Sequence, residues 1–99
     1  MLPIPLTSEI EAVARKVIWF EPPEQAVADP IRFLAYAMTY GEAGDMVTIR
    51  RYVSDEELSD ALLKAPPGIF DARSWAYWNL VTGRYPTPPM PERTFDGVD

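Results

Sequence analysis

The sequence predicts an all-α fold, a small compact bundle of about five short helices followed by a proline-rich extended C-terminal tail. Three observations predict it. Apolar residues recur every three or four positions in several segments, and side chains that cap helices stand just ahead of those segments. No stretch alternates apolar and polar residues long enough to read as a strand, and no internal repeat is visible.

The first helix is expected to open at Ser8, with Glu11 three residues on to complete a capping box, and to run to about Trp19. Ile10, Val13, Ala14, Val17 and Ile18 form its one-sided apolar stripe. Pro22 and Pro23 end it, and residues 24 to 28 have room for one further turn. Asp29 and Pro30 give an N-cap followed by a proline at the first helical position, so the second helix runs from there to Tyr40, with Gly41 as its C-cap. Residues 41 to 45, GEAGD, read as a connector, which puts the next N-cap at Asp45 and a short third helix at Met46 to Tyr52. Ser54 with Glu57 is a capping box, and Val53 with Leu58 is a hydrophobic staple, making this the best-defined boundary in the chain. Leu58, Ala61 and Leu62 supply the inner face of the fourth helix until Pro66, Pro67 and Gly68 stop it. The last helix starts at Asp71, with Phe70 placed to staple onto Trp75, and ends at Gly83. Residues 1–84 thus make one helical domain. Residues 85–99 hold four prolines and are expected to be an extended or disordered tail.

Composition bounds the chemistry. With 47 % apolar residues in 99, one core forms without staples. The chain has no cysteine and no histidine, which excludes disulfides and removes the commonest general base and metal ligand, so no catalytic site, metal or cofactor is expected. Fifteen acidic against nine basic residues give a net charge of −6, which disfavours nucleic acid as a partner. No apolar run approaches the length of a membrane span, and residues 1–12 lack the charge and apolar run of a signal peptide, so a cytoplasmic location is expected.

Several constellations are candidates for function. Ser74 to Leu80 spreads large aromatic groups over more than one face: Trp75 and Trp78 share a face and suit a core, while Tyr77 points about 100° away from Trp78 and is the better partner-facing residue. Trp19 and Phe20 either cover the core or project beside the proline turn, with core cover expected. Arg50 and Arg51, ahead of a tight turn, suggest a helix-turn-helix, but the helix after that turn opens with Asp55, Glu56 and Glu57, whose charge would face phosphate. Pro88 to Arg93 matches a PxxPxR pattern that docks in aromatic grooves, although such matches arise easily in proline-rich tails.

The order of these features adds one indication. Trp19-Phe20, Asp29-Pro30, Tyr40-Gly41, Asp45, Arg51-Tyr52 and the run Ala72-Arg73-Ser74-Trp75-Ala76-Tyr77-Trp78 together resemble a family of short uncharacterised bacterial proteins often encoded beside nucleotidyltransferase-like toxins of the abortive-infection type, over roughly residues 17 to 84. The resemblance implies an antitoxin or accessory role and brings no functional residues with it. The expectation is therefore a protein-binding module, with Tyr77, Arg84 and Tyr85 as contacts and Trp19 and Phe20 in reserve. The alternative is a DNA-binding regulator using the helices around Arg50 and Arg51, and self-association stays open.

Overall fold

The computed structural model describes residues 3–91, which form six α-helices and, among the described residues, no strand. These are α1 (Ser8–Val17), α2 (Pro23–Ala28), α3 (Pro30–Tyr40), α4 (Ala43–Ile49), α5 (Asp55–Lys64) and α6 (Ala72–Val81). The sixth is α2: the turn expected after the double proline is a full short helix, with Pro23 at the position where a missing N–H costs nothing.

The central element is α3, which packs against all five other helices. Its sequence explains the position. Phe33, Leu34, Ala35, Ala37 and Met38 are buried on several sides of the helix, and a helix apolar around most of its circumference belongs inside. Around it, Ile10, Val13, Ala14, Val17 and Ile18 of the first segment, Ile49 of α4, and Leu58, Ala61 and Leu62 of α5 complete one core. The Val53–Leu58 staple is buried at both ends, and Phe70 meets Trp75 edge-on with ring centroids 5.3 Å apart.

Two helix starts differ from the expected ones. Thr7, not Ser8, caps α1: its backbone is extended and its Oγ1 accepts the Ile10 N–H at 3.1 Å, while Glu11 turns to Arg15 instead of reaching back. The hydroxyls of Thr7 and Ser8 are adjacent in sequence, so a one-residue shift is the natural error. For α4 the cap is Glu42 and the helix is Ala43–Ile49, three residues earlier than expected. Asp45 is the third helical residue, where its Oδ2 accepts the Glu42 N–H at 2.8 Å and completes the reciprocal half of a box. Lys16 of α1 lies 3.2 Å from the same carboxylate, and that ion pair holds the Lys16 pKa above its usual value.

The glycines at the ends of α3 and α6 serve different needs. Gly83 has φ +88°, and it permits two closing bonds, Gly83 N–H to the Leu80 carbonyl and Arg84 N–H to the Asn79 carbonyl at 2.7 Å. Gly41 caps α3 in extended backbone, where any residue has acceptable dihedrals, but a Cβ there would stand 2.5 Å from the Ala37 carbonyl oxygen. Gly41→Ala is therefore expected to destabilise the fold by about 1–3 kcal/mol, because the obstacle is backbone. Gly44→Ala, in open space inside α4, should instead stabilise by about 0.5–1 kcal/mol. Urea midpoints of the two variants should move in opposite directions, and movement in the same direction would refute this account.

The described part of the tail lies against the domain. The Trp75 indole N–H donates to the Pro88 carbonyl at 2.8 Å, Met90 packs on the core, and the Tyr85–Pro86 bond is cis. Glu92 and Arg93, which complete the PxxPxR pattern, lie outside the described residues.

Candidate partner-binding surface

The start of α6 is set by Asp71, whose Oδ1 accepts the Ser74 N–H at 2.7 Å. That backbone N–H, reinforced by the Ser74 side chain and the nearby Arg73 charge, holds Asp71 below the usual carboxylate pKa. The sign follows: a depressed folded pKa contributes stability that is complete above the unfolded value, about 3.9, and is lost as pH falls through the folded one. Asp71→Ala should cost about 1 kcal/mol at neutral pH through loss of the cap. The gap between wild type and variant should narrow as the pH drops below about 4. Carbon NMR titration of Asp71 giving a midpoint above 3.9 would contradict this.

Once started, α6 has two apolar faces. Inward, Trp75 and Trp78 are buried, and the Trp78 indole N–H donates to the Met38 carbonyl at 2.8 Å. Met38 lies in the last turn of α3, whose carbonyls have no partner within the helix, so the indole of a residue forty positions away satisfies one of them. Asn79 is fully buried beside them. Its Nδ2 donates to the Trp75 carbonyl, and its Oδ1 has no partner. Outward, Tyr77 (58 % exposed), Leu80 (60 %) and Val81 (39 %) follow one another at helical spacing. A helix apolar on both sides is normally covered on both.

Tyr77 also forms one wall of a groove of about 430 Å³ between the C-terminal end of α3, α4 and the first turns of α6. Met38, Met46 and Trp78 are its buried floor, exposed Val47 lines it together with Tyr77, and the exposed Arg50, Arg73 and Glu42 lie on the rim. The sequence pointed to Tyr77. It did not point to Met38, Met46, Val47 or Arg73, which come from three helices and meet only in the folded chain.

The other expected contacts fall elsewhere. Arg84 is turned inward, its guanidinium donating to Ser59 Oγ at 2.8 Å and to the Ser59 carbonyl, so it ties α6 to α5. Tyr85, just past the helix, is 80 % exposed. Trp19 and Phe20 do not cover the core: Trp19 is 77 % and Phe20 50 % exposed. The reason is local, since α1 stops at Val17, Ile18 takes the covering position with no exposure, and the chain then turns away at Pro22-Pro23. Their rings begin a surface row that continues through Tyr36 to Tyr40, with neighbouring centroids 5.6 to 6.0 Å apart. The Arg32 guanidinium lies 5.3 Å from the Tyr36 ring and pairs with both oxygens of Glu21.

The arginines of the duplex-binding alternative are already occupied, Arg50 by Asp55 at 2.7 Å and Arg51 by Glu9. Among the described residues no group of three His, Cys, Asp or Glu side chains could hold a metal ion, and no helix is long and apolar enough to cross a membrane. No family model, curated protein or solved structure matches the chain.

Proposed function

We propose that the protein works by binding another protein through the outer face of α6 and the adjoining groove, as the small neutralising or accessory member of a pair with a nucleotidyltransferase-like toxin. The observation that carries the reading is the double apolar character of α6. Tyr77, Leu80 and Val81 form an exposed strip on a helix whose other side is the core, and the strip continues into a groove with an apolar floor. Rigid tyrosine at the junction supplies contact area at low entropy cost, as binding hot spots require. The nature of the partner follows from the family resemblance and from charge. A net charge of −6 steers the protein toward a basic cleft, raising the association rate more than the affinity.

Affinity capture of the tagged protein from lysate of its native host, with identification of what is bound, tests the reading. Wild type should retain one stoichiometric partner, and Tyr77→Ala with Tyr85→Ala should lose it while keeping its helical spectrum. Equal retention by the double variant would show that the surface is misplaced. If nothing co-purifies at low salt, the partner-binding reading falls.

A further inference from the structure

Building on the partner-binding reading, we propose that the groove receives a protein segment carrying a bulky apolar side chain beside a carboxylate. The apolar half of the claim comes from the floor. Met38 and Met46 are unbranched and adapt to an inserted side chain, Trp78 gives them a flat wall, and Val47 and Tyr77 extend the same surface outward.

The carboxylate half comes from a survey of the cations. The described residues include eight lysines and arginines, and six of them, Arg15, Lys16, Arg32, Arg50, Arg51 and Lys64, are in ion pairs. Arg84 is spent on Ser59. Among the described residues, which include twelve acidic ones, Arg73 alone of the cations has neither an ion pair nor a side-chain hydrogen bond. Its place is unfavourable for the fold as well: it is the second residue of α6, at the positive end of the helix dipole, where a cation is repelled. Asp71, two residues away, feels the Arg73 charge but makes no ion pair with it, its Oδ1 being committed to the Ser74 N–H. Among the described residues the one carboxylate on the groove, Glu42, is engaged by Lys16 at 3.4 Å. With Arg50 held by Asp55 and Glu42 by Lys16, Arg73 is the cation of the rim that, among the described residues, is left without a counter-charge in contact. A guanidinium fork meets a carboxylate with two parallel hydrogen bonds, and a neighbouring apolar floor fixes which carboxylate it meets. Net charge governs approach at long range and Arg73 governs contact, so an acidic segment in the groove is compatible with a basic surface elsewhere on the same partner.

Selection of a displayed library of random peptides, about twelve residues long, against the full chain tests this, followed by anisotropy measurements on the enriched peptides made synthetically. The expected peptides share a bulky apolar residue with Asp or Glu within two positions. They should bind Arg73→Glu at least about tenfold more weakly than wild type, and changing their acid to Lys should restore binding to that variant. Val47→Asp, at an exposed wall position that does not endanger the fold, should abolish binding. Enriched peptides without acidic preference, bound equally by Arg73→Glu but lost in Val47→Asp, would overturn the carboxylate assignment and leave the partner-binding reading standing. Absence of any enriched peptide sensitive to Val47→Asp would overturn both. A concentration-dependent dimer dissolved by Arg73→Glu would also overturn the proposal, by assigning the groove to a second copy.

Discussion

Trp78→Ala is expected to lower the unfolding free energy by about 3–5 kcal/mol, the largest single-residue effect in the molecule. Two losses combine. The side chain is almost wholly buried between α3 and α6, so its removal leaves a cavity in the one core the chain has. Its indole also satisfies a carbonyl at the end of α3, and that oxygen would be left buried without a partner. A domain of this size has about 5–15 kcal/mol in total, so the variant should sit close to the limit of folding. Trp78→Phe separates the terms by keeping most of the ring volume while deleting the donor, and it should cost about 1–3 kcal/mol. Urea unfolding followed by circular dichroism reads both. A loss under about 1 kcal/mol for Trp78→Ala would show that α6 is not a structural part of the core.

Leu80→Glu is expected to do the opposite, leaving the fold intact and removing the partner. Leu80 is at the middle of the exposed strip, and Glu is nearly as good a helix former as Leu, so even with the cost of a carboxylate in the last helical turn the melting temperature should fall by no more than about 5 °C. A carboxylate placed in the centre of an apolar contact must be desolvated without a counter-charge, and partner affinity should fall about a hundredfold, near 2.7 kcal/mol. Calorimetry with the captured partner gives the affinity, and a thermal melt of the free variant gives the control. Unchanged affinity would remove the outer face of α6 from the interface.

How far the fold could be read from sequence depended on how local each signal was. Asp29-Pro30, Ser54 with Glu57, and Asp71 act within a single helical turn, and all three caps stand where the residues put them. Gly83 is equally local, because the left-handed turn and its two closing bonds involve six consecutive residues. Asp45 misled because an acidic residue near a helix start serves equally well as the cap or as the third-residue partner of a cap, and choosing between them depends on the backbone of Glu42. Trp19 and Phe20 misled because burial at a helix end depends on which residue faces inward when the helix stops, and Ile18 was already there.

The site was less legible than the fold for the same reason. Tyr77 could be found, since its angle from Trp78 on one helix is arithmetic. The groove could not, because Met38, Met46 and Arg73 are joined by the packing of α3, α4 and α6 and by nothing in their spacing. Arg73 carries a signal only when every other cation among the described residues has been assigned a partner, and some of those pairs, such as Arg51 with Glu9 and Lys16 with Asp45, span about thirty or forty residues of sequence.

The three tryptophans also sort themselves into an optical reporter. Trp75 and Trp78 emit from the interior, each with its indole N–H on a carbonyl, whereas Trp19 stands in solvent at the opposite end of α3's aromatic row. Emission from the native protein is therefore the sum of a blue, shielded component and a red one open to aqueous quenchers. Unfolding collapses the first into the second, so the same cuvette that follows the loss of the core carries a largely exposed indole beside the two shielded ones.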